Sequence, residues 1–167
     1  RKELPHTLVG KVAYTVLERE EAEKAIMAGV ESAVEMGRKG YDIIATGEAG
    51  IGNTSSSSAV ASVLLGLDPE IVTGRGSGLT DGGLRRKIAA IRRGIAINSP
   101  DWGDPVDVLA KVGGFDICAM CGTFIGGALS HTPVVIDGLI SSVAALCAFR
   151  LSPVVRDYMI PSHKSGE

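Results

Sequence analysis

Aromatic side chains make up only 4% of this 167-residue sequence, which holds 22 glycines. A chain so poor in rings must build its core from small side chains and close backbone approach. A basic excess is also missing: 17 Lys and Arg stand against 19 Asp and Glu, a formal net charge of −2. That balance leaves no electrostatic footprint for nucleic acid, and none is expected as a partner. Long apolar runs are absent too. The longest charge-free stretches are Ala49–Leu67 and Ile117–Ile136. The first is full of Ser and Gly, and the second is broken by Gly126-Gly127 and His131-Thr132-Pro133, so neither reads as a membrane span. No signal-peptide pattern is visible, and the sequence starts at Arg1 rather than Met. The expectation is a cytoplasmic protein, or a fragment of one, with no membrane partner.

Cysteine is scarce as well, at three residues. Cys118-Ala119-Met120-Cys121 has the spacing of zinc knuckles and redox dithiols, but no second such pair exists and the nearest histidine, His131, is ten residues on. Small apolar residues of a core helix are the favoured reading, so no metal site and no cofactor are expected.

Strands and helices alternate along the chain. Glu20–Arg38 repeats Ala22, Ala25, Ile26, Gly29, Val30 and Ala33 at helical spacing, with Glu and Lys opposite. Gly40 ends it, and Tyr41–Ala45 reads as a short buried strand. Further helices are expected over Ser56–Leu65, Gly82–Ile97, Pro105–Lys111, Phe115–Ser130 and Leu139–Phe149, with Pro153–Tyr158 a helical turn. Pro133–Asp137 is the clearest strand, and Tyr158–Ile160 a last one. This order argues for an α/β fold with an open, mostly parallel, Rossmann-like sheet flanked by helices. The helices Phe115–Ser130 and Leu139–Phe149 are apolar almost all round, which suggests burial on both faces and an oligomer.

The densest chemistry lies in Gly47-Glu48-Ala49-Gly50-Ile51-Gly52-Asn53-Thr54, followed by four serines. A strand, a glycine-rich turn and a helix N-terminus make a place for an anion, usually a phosphate. Glu48 sits inside that turn, where a plain phosphate cradle would not want a carboxylate. It fits a ribose hydroxyl or a developing positive charge, although a carboxylate can also merely cap a turn. In parallel sheets ligands lie beyond the carboxyl ends of strands, which puts Thr46–Thr54 and Asp137-Gly138 on one rim. The second glycine loop, Gly74-Arg75-Gly76-Ser77-Gly78-Leu79-Thr80-Asp81, also precedes a helix and could join them. Familiar nucleotide fingerprints fail: Asn53 replaces the lysine of a P-loop, and Leu79 replaces the third glycine of a dinucleotide motif.

The first glycine turn resembles the G-E-M-G-I-G-N-T signature of nicotinate-nucleotide–dimethylbenzimidazole phosphoribosyltransferases. Matches continue in order at Gly74–Leu79, Asp107–Phe115, Val134–Ser141, Val155–Tyr158 and Ser162–Ser165. The resemblance covers about Glu20 to Ser165. It implies a core domain over 20–167, with 1–19 a poorly matched N-terminal segment. It further implies a cytoplasmic homodimer whose substrates are nicotinate mononucleotide and a benzimidazole base, with α-ribazole phosphate as product. The implied substrate-binding residues are Glu48, Gly50, Gly52, Asn53, Thr54, Arg75, Gly76, Ser77, Gly78, Lys87 and Asp137.

Several of these have a duller alternative. Lys87 matches a family lysine of the nucleotide site, though a helix lysine is usually a solvated face. Arg75 could pair with phosphate or lie on bare surface. Asp137 reads as functional because an unpaired buried carboxylate is costly. Asn53 and Thr54 read as orienting the loop and capping the helix rather than performing chemistry. His163 is a candidate supporting or dimer-contact residue. The family's general base is a glutamate in a G-E-G-x-G-A-like motif downstream of Ser162–Ser165. No such motif occurs here, so no catalytic base is assigned, and Glu48 is the one candidate to stabilise charge. The 167 residues alone are expected to show little or no transfer. The alternative reading is a non-catalytic sugar-phosphate-binding or assembly module derived from that family.

Overall fold

Glycine placement decides how the helices meet. The computed structural model describes residues 17–48, 52–76 and 78–163, and these form two compact units. One consists of residues 19–48 and 115–163, the other of residues 17–18 and 52–114.

The first unit begins with α1 (Arg19–Arg38), whose Glu20 and Glu21 in the first turn and Arg38 in the last complement the helix dipole. Its buried stripe, Ala22, Ile26, Gly29, Val30 and Ala33, faces α6 (Phe115–Leu129). The two backbones touch through glycine. A Cβ on Gly122 would lie 1.8 Å from the Ile26 carbonyl oxygen, and one on Gly29 would lie 1.9 Å from that of Ala119. Helix α6 is enclosed on its other sides by α7 (Leu139–Leu151), a 3-10 helix (Pro153–Tyr158) and strand β2 (Val134–Ile136). The apolar character of α6 and α7 is therefore consumed largely by packing inside the unit, and does not by itself call for a second copy.

The sheet is three-stranded and parallel, in the order β1 (Ile44–Ala45), β2, β3 (Met159–Pro161). Ile44 pairs with Val134, and Val134 with Met159. Strand β1 is shorter than the expected Tyr41–Ala45. The Tyr41 N–H donates to the Met36 carbonyl at 3.2 Å, closing the end of α1 instead of entering a ladder. Tyr41 and Ile43 are 60% and 54% exposed.

The second unit packs α2 (Asn53–Leu65) against α3 (Pro69–Val72), α4 (Asp81–Asn98) and α5 (Pro105–Val112). Helix α2 starts at Asn53 rather than Ser56, because Gly52 takes the N-cap position at φ 87°. A left-handed residue there favours glycine. The serines after it are not a solvated cap. Ser57, Ser58 and Ser62 are buried, and Ser58 Oγ donates to the Thr54 carbonyl at 2.8 Å, the back-bonding that lets a hydroxyl live inside a helix. Side-chain caps start the other helices: Asp68 for α3, Thr80 for α4 and Asp104, with Pro105 at the first turn, for α5. Arg92 of α4 donates to Asp68 at 2.6 Å, which holds the Asp68 carboxyl below its ordinary pKa and ties α3 to α4.

The glycine contact between α1 and α6 predicts a sharp mutational asymmetry. Gly122→Ala is expected to cost roughly 3 kcal/mol or more, since backbone cannot move aside as a side chain tip can. Gly138→Ala, where an added Cβ meets nothing within 4 Å, should stay within about 1 kcal/mol. Urea unfolding of the two variants measures the difference.

Candidate functional site

In the second unit both glycine-rich loops bring their ends to one ammonium group. Lys87 lies in the second turn of α4 and is 4% exposed. Its Nζ donates to Thr54 Oγ1 at 3.1 Å and to the Gly74 carbonyl at 3.0 Å. Thr54 belongs to the first turn of α2, and Gly74 opens the second loop. The duller alternative of a solvated lysine does not hold, because the stem runs into the packed interface of α4 with α2. Gly76 crosses above the pair at φ 56°, and a Cβ there would lie 3.5 Å from Thr54 Oγ1 and 3.8 Å from Lys87 Nζ. The loop backbone therefore covers the ammonium directly.

The cap at Gly52 makes no side-chain hydrogen bond, so no side chain of that residue stands before the first peptide N–H groups of α2. A buried cation beside the positive end of a helix favours an anion. Asn53 is buried in this first turn, and Thr54 half-buried, so both are helical residues rather than the cap itself. Two further hydroxyls stand nearby in sequence: Ser57 Oγ and Thr73 Oγ1 are buried and have no hydrogen-bond partner among the described residues.

Arg75 is exposed and turned on its own loop. Its guanidinium donates to the Leu79 carbonyl at 2.9 Å and pairs with the Asp81 carboxylate. Gly78, at φ 97°, is exposed in the same loop. Gly50 and Ser77 lie outside the described residues.

The first unit carries the remaining candidates on the carboxyl rim of its sheet. Thr46 leaves β1 with its N–H and hydroxyl both donating to the Val135 carbonyl, at 3.3 and 2.7 Å. Glu48 follows two residues later and is exposed. Asp137 leaves β2 on the same rim, its N–H donating to Ser141 Oγ at 2.8 Å. Asp137 is exposed, so the argument from a costly buried carboxylate does not apply; what the structure supports is its rim position. His163 is exposed beside Ser162, with Nδ1 2.7 Å from the Ser162 hydroxyl.

The C-x-x-C thiols are core residues. Cys118, Cys121 and Cys147 are free and buried. Burial, with the nearby Asp116 carboxylate as a lesser cause, pushes the Cys118 thiol up to about 12. Burial drives Cys121 and Cys147 upward as well. Among the described residues no group of three His, Cys, Asp or Glu side chains is placed to hold a metal ion, and no helix is long and apolar enough to cross a membrane.

The Gly74 carbonyl, the Arg75–Asp81 pair and the unpartnered Ser57 and Thr73 hydroxyls are the features that sequence reasoning missed. A main-chain acceptor has no residue-type signature, and hydroxyl burial is invisible without the fold.

A family model described as phosphoribosyltransferase matches residues 12–167, which agrees with a parallel α/β sheet and an anion-favouring helix N-terminus. The enzyme named nicotinate-nucleotide–dimethylbenzimidazole phosphoribosyltransferase in Clostridium tetani is 51% identical over 149 residues, 89% of this chain. The protein of the same name in Desulforudis audaxviator is 54% identical over 151 residues, 90% of the chain. The crystal structure of CobT from Thermus thermophilus matches 92% of the chain with a TM-score of 0.85 at 39% identity. This chain spans 41%, 43% and 46% of those three proteins, respectively. The chain belongs to the nicotinate-nucleotide–dimethylbenzimidazole phosphoribosyltransferase family.

Thiol burial sets a pH dependence. Cys118 ionises near 8.5 in an unfolded chain but only at about 12 in the fold. Its raised folded-state pKa means that stability is fully present below the unfolded value. As pH climbs from about 8.5 toward 12 the unfolded chain loses protons that the fold retains, and stability falls. Urea midpoints at pH 7.5 and 10 should show this drop, and Cys118→Ala should reduce it. A thiol-specific alkylating reagent should leave all three cysteines unmodified until the chain unfolds.

Proposed function

We propose that this chain holds nicotinate mononucleotide for a phosphoribosyl transfer to a benzimidazole nitrogen, which yields α-ribazole phosphate and releases nicotinate. The observation that best supports this reading is the buried Lys87 ammonium at the N-terminus of α2, bound to Thr54 Oγ1 and the Gly74 carbonyl. In this reading the ammonium and the first N–H groups of α2, at Gly52, Asn53 and their neighbours, grip the phosphate. The backbone of Gly76 and Gly78 gives it room, and Arg75 swaps Asp81 for a phosphate oxygen.

The chemistry suits the carboxylates. Nicotinate leaves from a pyridinium, so C–N cleavage frees a neutral ring and gathers positive charge on the ribose. In this proposal the exposed Glu48 carboxylate stabilises that charge, as a carboxylate beside a developing cation does. Asp137 serves a ribose hydroxyl from the same rim as Glu48. No residue is assigned here to take the proton from the benzimidazole.

Titration calorimetry with nicotinate mononucleotide and with dimethylbenzimidazole tests the binding half. The nucleotide should bind more tightly, and Lys87→Met should weaken it about tenfold or more, as expected for a lost charge-assisted hydrogen bond. Arg85→Gln, an exposed change on the same helix, should leave binding as it was. Tight benzimidazole binding with no nucleotide binding would overturn the reading. In an active enzyme carrying this core, Glu48→Gln should slow nicotinate release while largely sparing nucleotide affinity, followed by chromatography of product. A homodimer in the cytoplasm completes the proposal. Light scattering at high protein concentration should return a dimer mass, and a monomer mass would count against it.

A further inference from the structure

Lysine carries a flexible four-carbon stem, so something rigid must choose where a buried ammonium sits. Thr54 has the required stiffness. It is β-branched, it occupies the first turn of α2, and its carbonyl is held by Ser58 Oγ at 2.8 Å. Its Oγ1 accepts from Lys87 Nζ at 3.1 Å, while the Gly74 carbonyl accepts from the same group at 3.0 Å. One acceptor belongs to the helix after the first glycine turn, and the other to the second glycine loop. Gly76 closes over both, its would-be Cβ 3.5 Å from Thr54 Oγ1 and 3.8 Å from Lys87 Nζ.

We propose that Thr54 is the positioning residue for Lys87, and that through the shared ammonium it holds the second glycine loop in register with the N-terminus of α2. Thr54 acts on the bound phosphate through Lys87 and does not itself touch the nucleotide. The inference rests on the reading that Lys87 grips that phosphate. Removing the Thr54 hydroxyl cuts the tie between ammonium and helix, so the lysine and the Gly74–Gly76 segment lose their common reference. A serine in its place preserves that tie.

The experiment combines two readouts on the 167-residue chain. In ligand-free wild type, the Lys87 side-chain ammonium should give a nitrogen-15 NMR signal protected from water exchange, with an Overhauser contact to the Thr54 methyl group. That wild-type measurement stands even where a variant fails to fold. Thr54→Val should abolish the protected signal and weaken nicotinate mononucleotide binding about tenfold, the size of one hydrogen bond to a charged group. Thr54→Ser should restore the signal and bring affinity within about threefold of wild type. A Thr54→Val chain that loses affinity with its Lys87 signal unchanged would show direct contact between Thr54 and ligand, and would overturn the proposal. So would an unprotected Lys87 in wild type, or a Thr54→Ser chain as weak as Thr54→Val. Failure of wild type to bind the nucleotide would instead defeat the functional reading, while the ligand-free spectra would still decide whether Thr54 positions Lys87.

Discussion

The unit built on α1 and α6 depends on one steric fact: two helix backbones lie in contact because glycines let them. With Gly29 opposite the Ala119 carbonyl and Gly122 opposite that of Ile26, there is no space for even a methyl group. Close approach replaces ring packing as the source of dispersion contacts in a chain with few aromatics. It also brings Cα–H groups near carbonyl oxygens, a weak but recurrent attraction at such interfaces. The position of β2 follows from the same device. A Cβ on Gly127 would lie 2.3 Å from Val134 Cγ2, so the strand rests directly on α6. Through β2 the register passes to β1 and β3, and so to the rim that carries Thr46, Glu48 and Asp137.

The other unit solves a polar problem with similar means. A buried ammonium is costly unless its donors are satisfied. Here the donors meet a threonine hydroxyl and a peptide carbonyl, both on segments rich in glycine. Glycine at position 76 lets main chain pass at contact distance above the cation. Under the proposed function, the same lack of side chains lets an anion approach the peptide N–H groups at the start of α2.

Charge placement refines local geometry without supplying much stability. Arg75 with Asp81, and Arg92 with Asp68 and Glu70, are exposed pairs. Exposed pairs contribute little to stability. Their value lies in local shape, since the first folds the second glycine loop onto its own helix and the second fixes α3 beside α4. The three thiols act in the opposite sense. Burial keeps them neutral and inert, so a spacing that looks like redox chemistry is spent on the interior of α6 and α7.

Much of this was legible in the residues alone. Helical periodicity located α1, the second glycine loop marked the start of α4, Pro105 marked the start of α5, and the alternation of elements pointed to the parallel α/β class. The glycine turn and its co-linear partners identified the family, because several motifs in fixed order are specific where one is weak. Tertiary structure alone decided three things. Tyr41 closes a helix instead of extending a strand, since its N–H is taken by the Met36 carbonyl. Ser57, Ser58 and Ser62 of α2 are interior, since the elements packed around that helix bury most of its residues. Lys87 is buried and held by Thr54 and Gly74, partners 33 and 13 residues away in sequence. Local patterns determine which segments are helix or strand because those depend on neighbours a few residues apart. Which side chain becomes buried, and against what, depends on distant segments meeting, and no spacing rule along the chain encodes that.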